Sequence, residues 1–93
     1  MTINQKLEQA RKTPDTEYVF SARWVEHYPP VLYEKPRSIR KNRGLFGRLR
    51  DYRDGVLYID IGSSVETLQF EHLKDIYLPD GMPMTQNKMG FDV

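Results

Sequence analysis

The clearest pattern along the chain is alternation. Between Glu17 and Tyr28, Tyr18, Phe20, Ala22 and Trp24 occupy every second position, with Val19, Ser21, Arg23 and Val25 between them. Successive side chains of an extended strand point to opposite faces, so this spacing predicts a strand with one strongly apolar face. Pro29-Pro30 ends it, because proline has no amide to give to a sheet ladder. Val31-Leu32-Tyr33-Glu34 is expected to form a short edge strand, and Pro36 to Gly44 an exposed loop. Leu45 to Arg53 and Val56 to Ile61 then flank Asp54-Gly55, the dipeptide that accepts the positive φ values of a two-residue hairpin turn. Gly62-Ser63-Ser64 turns the chain into a strand over 65–70, residues 71–75 suit a single 3₁₀ turn, and Ile76-Tyr77-Leu78 resumes the alternation up to Pro79-Asp80-Gly81.

The N-terminus follows a different period. Ile3, Leu7 and Ala10 repeat at helical spacing behind Thr2 and Gln5, which have the form of a capping box. A short amphipathic helix over 3–12 is predicted, ended by Thr13-Pro14-Asp15. A helix this short is marginal alone and has to dock on the sheet. The expected core is Leu7, Phe20, Ala22, Trp24, Leu49, Leu57, Ile59, Ile61, Leu68, Phe70, Leu73, Ile76 and Leu78. The resulting fold class is mainly β: one domain over 1–81, a small SH3-like or Sm-like five-stranded barrel with a short N-terminal helix. Residues 82–93 lack periodicity and are expected to be a flexible tail.

Composition narrows the setting. The chain has 93 residues and no cysteine, which removes disulfides and thiolate metal sites. No apolar run approaches the roughly 20 residues of a membrane span, and residues 1–12 lack the apolar centre of a signal peptide, so a cytoplasmic protein without membrane contact is expected. Net charge is only +1, but eight of the 14 Lys and Arg fall between 35 and 53, where Asp51 is the sole acid. The molecule should therefore be electrostatically two-sided.

That basic stretch is the candidate site. Arg37, Arg40, Lys41, Arg43, Arg48, Arg50 and Arg53 can neutralise phosphates while Phe46 and Tyr52 stack on unpaired bases. Strict alternation would put Arg48, Arg50 and Tyr52 on the face opposite Leu49, projecting outward together. Other chemistry is poorly served. His27 and His72 are the only histidines and match no metal-ligand spacing, so no metal or other cofactor is expected. Asp51, Asp54, Asp60, Glu66 and Asp75 fit a turn and outward strand faces better than a paired acid–base site, and no nucleophile motif or phosphate-cradling glycine loop is present.

Residues 47–79 resemble the second half of Sm-like proteins of the Hfq type. The likeness rests on Gly47-Arg48-Leu49-Arg50-Asp51-Tyr52, on Val56 to Ile61, on the run from Val65 to His72, and on Ile76 and Pro79. It implies a helix before a small barrel, a glycine opening a strongly bent second strand, and an aromatic-Lys-His tripeptide before the last strand. Here the tripeptide reads Phe70-Glu71-His72, with Glu71 in place of the lysine, and residues 29–44 stand where that family has a tight turn. YolD-like proteins of bacterial chromosomes and mobile elements share the closing pattern. The expected function is a small non-enzymatic protein that binds RNA, single-stranded DNA or a nucleic-acid-handling complex through 35–53. The alternative is an adaptor or inhibitor of the phage or mobile-element type, meeting an acidic protein with the same surface. Association into a homo-oligomer would pair 65–70 of one copy with 76–78 of the next.

Overall fold

The structure is a computed structural model that describes residues 1–32 and 34–84. It is mainly β. The helix α1 (Ile3–Lys12) is followed by β1 (Glu17–Tyr28), β2 (Arg37–Arg53), β3 (Val56–Asp60), β4 (Val65–Gln69), a 3₁₀ turn (Phe70–His72) and β5 (Leu73–Tyr77). The five strands form one antiparallel sheet in the order β4-β3-β2-β1-β5. The expected closure into a barrel is not made: β4 and β5 are the two edges, and no ladder joins them.

Local chemistry accounts for each element. Thr2 accepts the Gln5 amide at 3.2 Å while the Gln5 side chain accepts the Thr2 amide at 2.8 Å, so the capping box forms at the start of α1. Leu7 and Ala10 are buried against the sheet. Lys6 reaches across to the Asp75 carboxylate on β5, and Thr13 closes the helix with its hydroxyl 2.7 Å from that of Tyr18, satisfying a buried phenol. Asp54 and Gly55 both take positive φ (53° and 73°), the turn that matches the twist of the β2–β3 hairpin.

The core contains Phe20, Leu57, Ile59 and Ile76, all fully buried, with Tyr18, Ala22, Leu49, Leu68, Leu73 and Met84 around them. Trp24, Ile61, Phe70 and Leu78, expected inside, are only partly buried and pack on its margin. Met84, within the stretch expected to be a tail, is buried in this core. Pro83 bridges to Tyr77 and the Leu78 amide bonds the Met82 carbonyl at 2.9 Å, which carries Met84 into the core. The rest of the expected tail lies outside the described residues.

The largest correction concerns 36–44. Instead of a loop, this stretch is the first half of β2, paired residue for residue with β1 from Tyr28↔Arg37 to Glu17↔Arg48. Residues 31, 32 and 34 belong to no strand, so the expected edge strand does not form there; Tyr33 lies outside the described residues. β5 pairs with β1 only over Val19–Ala22, and β3 pairs with β2 only over Arg48–Arg53. Between Arg23↔Asn42 and Tyr28↔Arg37 the β1–β2 ribbon therefore pairs with no third strand among the described residues. It extends roughly 17 Å as a two-stranded arm. The radius of gyration is 16.4 Å and the extents 63 × 27 × 25 Å, where a compact chain of this length would measure about 12 Å. Among the described residues no helix is long and apolar enough to cross a membrane.

Gly47 allows β2 to serve both partners. A Cβ at this position would sit 2.2 Å from the carbonyl oxygen of Asp60 and 3.1 Å from the Cα of Ile61. Only a residue without a side chain lets the β3 backbone come this close as β2 exchanges β1 for β3.

Candidate nucleic-acid interface

The basic residues expected to act together are divided between two faces. Along β2, odd-numbered positions from Arg37 to Leu49 share the face of Trp24 and the core, and even-numbered positions from Ser38 to Arg48 lie on the other. Arg37, Lys41 and Arg43 accordingly fall on the Trp24 side. Arg40, Phe46 and Arg48 fall on the outer side, joined by Arg23 of β1, whose register partner is Asn42.

The two faces differ in how far their polar groups are satisfied. On the Trp24 side, Glu26 accepts the Tyr28 hydroxyl at 2.6 Å and the Trp24 indole N–H at 3.1 Å, with the Lys41 ammonium 4.0 Å away. The Tyr28 and Trp24 hydrogen bonds hold the Glu26 carboxyl below its ordinary value, and the same hydrogen bond from the other end raises the Tyr28 phenol. Arg37 lies 5.7 Å from the centroid of the Tyr28 ring. Arg43 donates to the Glu66 carboxylate at 2.6 Å and to the Thr67 carbonyl at 3.1 Å, tying the arm's root to β4. Trp24 stacks on His72, with centroids 4.9 Å apart and planes within 12°, which seats the root on the 3₁₀ turn. On the outer side, among the described residues, Arg23, Arg40 and Arg48 make no ion pair. His27 and Ser38 contact each other there at 2.7 Å.

Beyond Gly47 the expected surface changes more. The β2–β3 register shifts between Leu49 and Asp51, leaving Arg50 as the extra residue of a β-bulge. An inserted residue inverts the alternation after it. Tyr52 pairs with Leu57 and turns inward, where its ring lies 5.7 Å from Phe70 under the Arg11 guanidinium. Strict alternation would place Tyr52 outward with Arg48; after the bulge it lies on the core side, partly buried. Arg50 is held by Asp60 at 3.0 Å, and Arg53 by Asp51 at 3.1 Å and the face of Tyr58 at 4.7 Å. Phe46 remains an outward aromatic, 47% exposed and opposite Val19.

The positive charge thus concentrates on the arm. From 23 to 42 there are five cations, Arg23, Lys35, Arg37, Arg40 and Lys41, against Glu26 and Glu34, in a chain of net charge +1. A cleft of about 590 Å³ at the arm's root gathers Arg23, Arg40 and Lys41 with Glu71 and His72 of the 3₁₀ turn and Lys74 of β5. Arg23 was legible in the alternation of its strand. Nothing in the sequence placed Lys74 and His72 beside it. At the tip, Val31 and Leu32 are 59% and 81% exposed. No cluster of three or more potential metal ligands occurs among the described residues. No known protein family, curated protein or solved structure matches the chain.

Proposed function

We propose that this is a non-enzymatic nucleic-acid-binding protein that seats its β1–β2 arm on a phosphate backbone. The observation that carries the reading is the arm itself: a ribbon that pairs with no third strand among the described residues, with five cations to two carboxylates. A projecting basic ribbon gains little for folding, since exposed like charges repel and an isolated hairpin is marginal in water. Opposite a polyanion each cation on a phosphate releases condensed counterions, and the repulsion becomes affinity. Arg37 towards the tip of the arm, with Arg23, Arg40, Lys41 and Lys74 at the root cleft, would make those contacts. Arg43, Arg50 and Arg53, already engaged with carboxylates, would contribute less.

The sheet order, the helix ahead of β1 and the 3₁₀ turn between β4 and β5 support reading the body as a half-open SH3-like or Sm-like barrel that carries this arm. Binding to labelled single-stranded DNA, single-stranded RNA and duplex DNA, titrated with salt, tests the function. The affinity is expected to fall log-linearly with salt, with a slope of about 0.7 per phosphate contact on single strands and about 0.9 on duplex. Arg40→Ala with Lys41→Ala should lower that slope by about one to two units and leave the fold intact. A protein adaptor would show no salt-dependent affinity for any of the three probes, and that outcome would sink the proposal.

A further inference from the structure

The arm's tip is the feature that its charge does not explain. Pro29 and Pro30 leave β1, and the chain returns through a turn in which the Glu34 amide bonds the Val31 carbonyl at 2.8 Å. That turn displays Val31 and Leu32 to solvent, 59% and 81% exposed, at the far end of the ribbon and away from the core. Two prolines fix the backbone φ on one side of the turn, so the apolar pair is presented on a stiffened mount. Glu34, Lys35 and Arg37 follow within a few residues, so a surface that receives the apolar pair also meets a net positive charge.

We propose that Leu32, supported by Val31, is a wedge that enters a base step of duplex DNA from the minor groove and kinks it, while the basic flanks of the arm hold the phosphates on either side. This rests on the nucleic-acid reading of the arm. An exposed aliphatic side chain gains burial between unstacked base pairs, and the duplex bends so that more backbone wraps onto the cationic ribbon. The same tip aimed at a single strand would find no stack to open, so the wedge selects duplex over single strands. A step that is already weakened costs less to open, so mismatched or nicked duplex should be favoured.

The test uses the full chain and a duplex of about 30 bp labelled at both ends for resonance energy transfer. Wild type is expected to shorten the end-to-end distance in keeping with a bend of about 20–90°. It should also bind a duplex with a central mismatch about tenfold or more tighter than the matched one. Val31→Ala with Leu32→Ala, both exposed and outside the core, should keep the wild-type circular dichroism, lose the bend and bind both duplexes alike. In a dimethyl sulfate footprint, adenine N3 in the minor groove should be protected at the kinked step. Tight binding with a straight duplex, or bending unchanged in the double variant, overturns the wedge while leaving the arm as a nucleic-acid contact. Protection confined to guanine N7 also overturns it, in favour of a ribbon lying in the major groove. No binding of wild type to any nucleic acid removes both readings.

Discussion

Replacing Gly47 by alanine places a methyl carbon 2.2 Å from the Asp60 carbonyl oxygen and 2.9 Å from its carbon. Both are backbone atoms of β3, so no side chain can rotate away, and the strands must part by about 1 Å to restore ordinary contact. Strain from overfilling a packed site costs about 1–3 kcal/mol, and each ladder hydrogen bond loosened at the Arg48↔Asp60 and Leu49↔Ile59 pairs adds about 1 kcal/mol. The sum is about 3–5 kcal/mol, against a total stability of about 5–14 kcal/mol for a domain of this length. Gly44 supplies the control on the same strand. A Cβ there meets nothing within 4 Å, so Gly44→Ala should be neutral or stabilise by up to about 1 kcal/mol through the unfolded chain. Urea unfolding followed by circular dichroism measures both. Gly47→Ala should lower the midpoint by about 2 M at unchanged m-value, and Tm by about 15–25 °C. If it unfolds within about 0.5 kcal/mol of wild type, β2 does not change partners at this point.

Tyr52→Ala should lower stability by about 2–3 kcal/mol in the same assay, because its ring packs beside Phe70, and should leave the affinity of the folded protein for single strands unchanged. A selective loss of single-strand affinity would return Tyr52 to the outer face. Burial pushes the Asp75 carboxyl up, but the Lys6 ammonium, the Ile76 amide and Tyr77 together outweigh it and hold the group below its ordinary 3.8. With a depressed folded value, its stabilisation is full above about pH 4 and is lost as pH falls through that value. Lys6→Met, which keeps the packed stem, should cost about 1 kcal/mol at neutral pH and converge on wild type in acid; a constant difference from neutral to acid would refute the pairing. Amides of 24–28 and 38–42 should exchange with deuterium far faster than those of Phe20, Leu57 and Ile59, because no third strand among the described residues pairs with the arm, and uniform protection would show the arm packed against something.

Several features were legible in the residues alone, wherever the signal is local or is imposed by a single buried face. Thr2 and Gln5 announce the start of α1, Asp54-Gly55 the β2–β3 turn, and the alternation of Tyr18, Phe20 and Ala22 the inner face of β1. These depend on capping geometry, on backbone conformation and on one side of a strand meeting a core. Residues 37–42 gave no such signal, because in a ribbon exposed on both faces polar residues are acceptable at every position and no hydrophobic period remains. Their strand character comes from the register that β1 imposes across the pair. The bulge at Arg50 is likewise a tertiary decision: β2 must bend to reach β3, the extra residue absorbs the bend, and Tyr52 changes face as a consequence. The cationic residues of the candidate site could be named from the sequence. Which of them would be neutralised by Glu66, Asp60 and Asp51, and which would stand unpaired on the arm, was set by long-range pairing and strand parity, quantities that no window of sequence contains.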